Sequence, residues 1–290
     1  MHFYSPLRYP GGKGKLSSHI ANIFEENLLN DGYYIEPYAG GASVALYLLF
    51  QEYSGRILIN DFDRSIYAFW YSVLNHTEDL IKLITDTKVN LKNWDKLKQI
   101  QINKKKEDLL TLGFSTFYLN RSNRSGIISA GMIGGRQQNG DWKIDARFNK
   151  KDLISRIEKI ALYRNRIDLK NLDALKLIQN LPKKYSSKSL IYFDPPYYNK
   201  GKDLYINHYS EDDHKNVSSK IKQIEKFKWL VTYDSVQPIK KLYKPFRQIE
   251  YSINYSASNL IKSGNELAIF SNSLYISKKT KSLFKNKTVA

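Results

Sequence analysis

The chain has 290 residues, 42% of them hydrophobic, and a formal net charge of +18 from 46 Lys and Arg against 28 Asp and Glu. That apolar content excludes disorder as the general state, and the length suits one large domain carrying an insertion. The absence of cysteine excludes disulfides and thiolate metal sites, and the positive excess favours a polyanion, because each phosphate neutralised by Lys or Arg releases counterions.

The N-terminal MHFYSPLRYPGGKG lacks the apolar core of a signal peptide, and the longest strongly apolar run, ALYLLF at 45–50, is too short to cross a bilayer. The five histidines (His2, His19, His76, His208 and His214) show no metal-ligand spacing. The expectation is a cytoplasmic protein with neither membrane nor metal.

GYYIEPYAGG (32–41) reads as a short strand entering a small-residue turn, and ASVALYLLFQEY (42–53) has helical periodicity. RILINDFD (56–63) reads as a second strand and RSIYAFWYSVL (64–74) as a helix, a βαβ opening that predicts a parallel sheet. The rhythm then breaks. Residues 76–120 are helix-like and lysine-rich, with the run Lys104, Lys105, Lys106, which reads as a phosphate contact or a solvated face. Residues 121–149, rich in Gly, Arg and Asn, read as loops and a hairpin, and 150–166 as a basic helix.

Strand and helix alternation then resumes. Strands are expected at 166–173, 189–193 and 228–234, helices at 211–227 and 235–243, and a closing antiparallel pair at 246–253 and 266–273. The tail from Lys278 is basic and is expected to fray. The layout is one α/β domain split by an insertion of roughly eighty residues, a subdomain-sized length.

In this reading Glu36, Asp61, Asp173 and Asp194 all fall at carboxyl ends of strands, where open parallel sheets bind ligands. Gly40 and Gly41 follow the first and allow close approach to the backbone. An acid after the second strand can accept hydrogen bonds from ribose hydroxyls.

The stretch SLIYFDPPYYNKG (189–201) is the most informative. Pro195 and Pro196 fix the backbone and supply no amide protons. Their carbonyls and the Asp194 carboxylate form rigid acceptors, which suit an NH₂ group with two protons to donate. Tyr197 adds a π face for a planar ring. The amine of adenine is a poor nucleophile because its lone pair is delocalised. Acceptors that draw both protons out of the ring plane would expose that lone pair to the sulfonium methyl of S-adenosylmethionine (SAM), with catalysis mostly by positioning.

These residues carry a resemblance. The chain is similar to the Dam-like, alpha-group D12 class of N6-adenine-specific DNA methyltransferases. RYPGGKGKL (8–16), YIEPYAGGASVAL (34–46), LINDFDRSI (58–66), STFYLNRSNRSG (115–126), DPPY (194–197), VTYDS (231–235) and NELAIFSN (265–272) match that family's segments in order. The resemblance implies a Rossmann-like class I SAM-dependent methyltransferase sheet, formed by residues 1–66 and 150–290, with an inserted, mainly helical DNA-recognition domain at 67–149. It implies that Tyr9 and Lys13 contact SAM, that Glu36, Pro37, Gly40 and Gly41 line its methionine part, that Asp61 takes the ribose and that Asp173 lies near the cofactor's adenine. Asp194, beside the cofactor, and Pro195 would hold the target amine, Pro196 would stiffen the turn, and Tyr197 would stack on the base. A duplex hides that amine, so the base must flip out.

Two departures stand out. The family's Phe-x-Gly-x-Gly turn is Tyr38-Ala39-Gly40-Gly41-Ala42 here, and the segment after Arg121 runs Ser122-Asn123-Arg124-Ser125-Gly126, so GATC specificity is not carried over. Independently of any family, Arg121, Arg124, Arg136 and Lys143 can address guanine edges or phosphates, and Asn123, Gln137 and Gln138 can pair with adenine edges. Duplex DNA is the expected partner, with a separate restriction endonuclease as a functional one. Three alternatives stay open at this point: an RNA adenine as acceptor, a protein glutamine, or an inert DNA-binding shell. Asp194 and the basic insertion argue against the glutamine reading.

Overall fold

The computed structural model describes residues 4–9, 12–181, 185, 188–199, 209–257 and 260–285. In chain order its elements are α1 (Ser17–Glu26), β1 (Tyr33–Glu36), α2 (Ser43–Phe50), β2 (Arg56–Asn60), α3 (Arg64–Asn75), α4 (Thr77–Asp86), α5 (Leu91–Ile102), α6 (Leu109–Ser122) and α7 (Lys150–Leu162). They continue with β3 (Ile167–Lys170), α8 (Ala174–Gln179), β4 (Ser189–Phe193), α9 (Glu211–Lys222), β5 (Lys228–Asp234), α10 (Gln237–Leu242), β6 (Arg247–Ala257), β7 (Leu260–Phe270) and α11 (Lys278–Lys285). The chain is a mixed α/β protein with a seven-stranded sheet, as expected. Among the described residues no helix is long and apolar enough to cross a membrane.

The chain divides into two compact units: residues 1–12, 40–43 and 61–171 form one, and 13–39, 44–60 and 172–290 the other. Pro10 and Gly11 of RYPGGKGKL, Lys200 and Gly201 after the DPPY stretch, and His2 and His208 lie outside the described residues.

In the second unit six strands run in the order β2-β1-β4-β5-β7-β6. The first four are parallel, with Ile35 opposite Leu58 and Ile191, and Ile191 opposite Trp229. β7 is antiparallel to both β5 and β6. Side chains alternate across a strand, so two sets separate. Ile35, Leu58, Ile191, Phe193, Trp229, Val231 and Tyr233 join an apolar core with Val217 and Ile221 of α9, Ile239 of α10 and Tyr243 just beyond it. The other set, Tyr34, Glu36, Tyr192, Thr232 and Glu266, is polar yet buried. The same two-residue period puts Asp194 in line with Tyr192.

The expected frayed tail is a correction. Residues 278–285 form α11, and the Phe284 ring packs edge-on against His19, Tyr251 and Phe270 at 5.3, 5.5 and 5.7 Å. Thr280 Oγ1 donates to Glu26 at 2.6 Å. An amphipathic stretch with one large ring finds a seat that a reading by charge alone does not foresee.

The first unit is built on α6, which is buried on nearly every side. A Cβ at Gly113 would lie 2.4 Å from Ser72 Oγ and 2.5 Å from the Ala68 carbonyl, so α3 and α6 touch through small residues. Phe69 stacks on Phe117 at 6.0 Å, and Phe148 closes on Phe117 at 5.4 Å. Buried Ser115 and Thr116 donate to the carbonyls of Leu97 and Leu112, which spares the desolvation penalty. Asp63, Asn90, Asp108 and Asn149 cap α3, α5, α6 and α7. Residues 121 and 122 end α6, and 123–149 form a single 3-10 turn at Arg124–Gly126, further turns and one isolated antiparallel bridge, Asn123 to Met132, in place of a full hairpin.

Candidate active site

In the second unit the DPPY stretch leaves β4 at Asp194. Its Oδ1 accepts from Thr232 Oγ1 at 2.7 Å, and its Oδ2 lies 3.2 Å from Lys13 Nζ. Burial pushes the Asp194 carboxyl up from its ordinary value, and the charge of Glu266 adds to this, while Lys13 and Thr232 oppose it. Pro195 and Pro196 are buried. Tyr197 is 6% exposed, and its ring lies 4.8 Å from Lys13 Nζ. Lys13 donates to the Tyr197 hydroxyl at 2.5 Å, and that hydroxyl donates to Glu266 Oε1. Tyr251, opposite Glu266 in the β6–β7 register, donates to Oε2 at 2.5 Å.

The turn beyond Tyr197 is tied down separately. Asp234, the last residue of β5, accepts from the backbone N–H of Tyr198 at 2.9 Å and of Asn199 at 3.0 Å. Glu36 closes β1 and is buried, 3.5 Å from the Tyr34 hydroxyl. The Pro37 carbonyl accepts from Asn60 Nδ2 at 2.9 Å, and the same amide donates to the Leu172 carbonyl and accepts from the Leu172 N–H. Asp173 Oδ1 accepts from the N–H groups of Leu175 and Lys176, capping α8.

In the first unit Gly40 has φ +47°, and a Cβ there would meet Tyr9 Cε1 at 2.6 Å. One at Gly41 would lie 3.1 Å from Tyr9 Cβ. Only glycine suits the first position on both counts. Ala42 also takes a positive φ, 48°, where the family has its last glycine. Asp61 holds this turn: Oδ2 accepts from the Gly40 N–H and Oδ1 from the Asp63 N–H, both at 2.9 Å. Trp70 Nε1 donates to the Gly40 carbonyl at 2.9 Å. Burial pushes the Asp61 carboxyl up to about 7 against the pull of the two N–H groups.

The residues expected to read DNA differ in what they offer. Arg124 is exposed. Arg121 donates Nε to the Arg147 carbonyl at 2.8 Å, and burial together with Arg8 and Arg156 lowers its guanidinium to about 10. Arg136 is exposed and grips Asp95 with two bonds of 2.6 and 3.1 Å. Gln137 is exposed and accepts from Asn139 at 3.2 Å, and Lys143 donates to the Gln138 carbonyl. Gln138 donates to the Ile133 carbonyl and accepts from the Ile144 N–H. Lys104, in the lysine run, pairs with Asp63 at 2.8 Å.

Asn123 is a correction. It is fully buried, accepts from Trp94 Nε1 at 2.7 Å and donates to the carbonyls of Ile127 and Ile128 at 3.0 Å. Its amide is consumed in folding the loop, not left for a base edge. Asn120, which the sequence reading did not single out, clamps the N–H and carbonyl of Arg8 and the carbonyl of Gly126, each at 2.7 Å. Glu266, Tyr251, Thr232 and Asp234 were missed as well. Thr232, Asp234 and Glu266 lie in the family-like segments VTYDS and NELAIFSN, which mark the strands but not these side chains, and Tyr251 lies in a segment of ordinary strand composition.

A mixed α/β sheet with Asp-Pro-Pro-Tyr at the end of a buried central strand defines a methyltransferase that acts on an exocyclic amine. The chain belongs to the D12 class N6 adenine-specific DNA methyltransferase family, whose model matches residues 9–256. It methylates adenine N6 in DNA with SAM as donor. A curated relative, Type II methyltransferase M.MjaIII of Methanocaldococcus jannaschii, is 26% identical over 209 residues, covering 66% of this chain and 68% of that one. Solved structures with distant likeness include the M. capricolum TrmK complex with S-adenosyl-homocysteine (8% identity, TM-score 0.38, covering 92% of this chain and 74% of that one). Another is the rRNA methyltransferase AviRa from Streptomyces viridochromogenes (11% identity, TM-score 0.35, covering 88% and 84%).

Proposed function

We propose that the target adenine leaves the duplex stack and that its amine is received by Asp194 and the Pro195 carbonyl, with Tyr197 stacked on the ring. The observation that carries this is Asp194 at the end of β4, gripped by Thr232 at 2.7 Å and Lys13 at 3.2 Å. Each carboxylate oxygen keeps a further acceptor site, enough for an amine proton. Pro196 stiffens the turn.

The residues also fit the methyl donor. The Gly40 turn is a cradle that a Cβ would fill, and Asp61 keeps acceptor capacity for ribose hydroxyls beyond its two N–H bonds. Tyr9, Lys13, Glu36, Pro37 and Gly41 complete the donor's contacts, with Asp173 beside its adenine. SAM supplies an electrophilic methyl carbon when bound. The chain's own residues position the amine, draw its protons out of the ring plane and exclude water.

Residues 67–149 act as the target-recognition domain. Arg121, Arg124, Arg136, Gln137 and Lys143 supply its contacts to phosphates and bases. Kinship with a Type II methyltransferase supports pairing with a restriction endonuclease of the same specificity, carried as a separate protein in the cytoplasm.

The test is base flipping. Methylated adenines are first mapped in DNA from cells expressing the protein, and 2-aminopurine then replaces the target adenine. Its fluorescence rises on binding if the base leaves the stack. Saturable binding with unchanged fluorescence contradicts the reading.

A further inference from the structure

We propose that Glu266 is a positioning residue for methyl transfer: its single carboxylate orders Tyr197 and Lys13 and, as a second negative charge beside Asp194, disposes Asp194 to take the proton that the amine loses. This rests on the placement of the amine at Asp194.

The geometry is direct. Glu266 Oε1 accepts from the Tyr197 hydroxyl, Oε2 accepts from Tyr251 at 2.5 Å, and Lys13 Nζ lies 3.7 Å from Oε1. Lys13 then reaches Asp194 at 3.2 Å. Glu266 is 1% exposed and Lys13 4%, so water screens these charges little. One ammonium faces two carboxylates. Among the described residues this cluster is one positive charge short, which suits a site that must accept a proton.

The chemistry requires such a sink. When the amine nitrogen bonds to the methyl carbon, the carbon–sulfur bond breaks and its electron pair goes to sulfur. The nitrogen then carries one proton too many. An N–H bond breaks, its electron pair returns to nitrogen, and the proton passes to Asp194, which becomes a neutral acid. That proton reaches water as the methylated base departs.

The other groups around Asp194 leave this assignment intact. Tyr34, Tyr192, Tyr197 and Tyr251 are held far above the ordinary phenol value by burial and by the neighbouring carboxylates, so they stay neutral. Tyr233, also held high, touches Asp194 only through its field. Thr232 does not titrate. Glu36 acts on Tyr34 and Tyr192, and Lys13 is the cation that bridges to Asp194.

The experiment compares wild type with Glu266→Gln and Glu266→Asp. In unliganded protein with ¹³C-labelled carboxyls, the Asp194 resonance is assigned by its loss in Asp194→Asn and followed through a titration. Its midpoint falls by on the order of one pH unit in Glu266→Gln and stays near wild type in Glu266→Asp. In single turnover, the acid limb of the methylation rate moves to lower pH by the same interval in Glu266→Gln. The plateau rate drops roughly tenfold, while DNA affinity is unchanged. An Asp194 midpoint that does not move overturns the proposal, as does a slower rate with an unshifted limb. If Glu266→Gln fails to fold, Lys13→Met is used instead: removing the counter-charge raises the midpoint, and an unmoved midpoint there also overturns the proposal. Failure of the amine assignment itself would show differently, as an active Asp194→Ala enzyme.

Discussion

Thr232 Oγ1 donates a 2.7 Å hydrogen bond to Asp194 Oδ1, and the Tyr192 hydroxyl lies 2.8 Å from the same threonine oxygen. This bond favours the ionised carboxylate where burial favours the neutral one. Thr232→Val keeps the shape and removes the donor. Asp194 then moves further above its ordinary value, so the acid limb of methylation shifts to higher pH, opposite in sign to the Glu266→Gln shift. Losing a bond to a charged group costs about 1.5–3 kcal/mol of net interaction. A pH series of single-turnover rates checks the direction.

Asp234 fixes the turn after Tyr197 through two backbone N–H groups. Asp234→Ala frees that turn without touching the reacting atoms. Methylation should slow by roughly ten- to a hundredfold, the scale expected when a reacting group is misplaced by about an ångström. DNA affinity should hold. Single-turnover rates alongside filter binding separate the two.

Gly40→Ala puts a methyl 2.6 Å from the Tyr9 ring at φ +47°. The turn must shift, and SAM affinity should fall at least about tenfold, the cost of one misplaced hydrogen bond to a buried turn. Adding Tyr9→Ala removes the clash but not the backbone strain, so the double variant should bind SAM no better than Tyr9→Ala alone. Calorimetry with SAM measures both.

Burial pushes the Asp61 carboxyl up to about 7. In the proposed donor site ribose hydroxyls donate to the ionised form, so SAM binding should weaken as pH falls through 7, approaching tenfold per unit, about 1.4 kcal/mol. At higher pH the affinity should level off. Asp61→Asn should lower affinity and flatten the profile, which calorimetry between pH 5.5 and 8.5 (an assay window of about three units around that value) would read.

Much of this architecture is legible in local residue patterns. β4 with its Asp-Pro-Pro-Tyr exit, the glycine turn after β1 and the acid after β2 all declare themselves because strand runs, proline and glycine act within a few residues. What stays hidden is long-range. Lys13 meets Asp194 and Glu266 across 181 and 253 positions of chain, and no periodicity encodes that meeting. Asn123 looks like a base reader by residue type, yet Trp94 and two carbonyls claim its amide. Asp173 also caps α8 through Oδ1, a use that its place near a strand end does not reveal. α11 is hidden by its lysines, because what seats it is long-range: Phe284 among His19, Tyr251 and Phe270, and Thr280 on Glu26.

The most direct test of the catalytic assignment is a single-turnover measurement of methyl transfer to adenine in duplex DNA by Asp194→Ala, with DNA binding measured on the same preparation. The account predicts no detectable N6-methyladenine alongside near-normal, salt-sensitive DNA binding. Turnover comparable to wild type would contradict it.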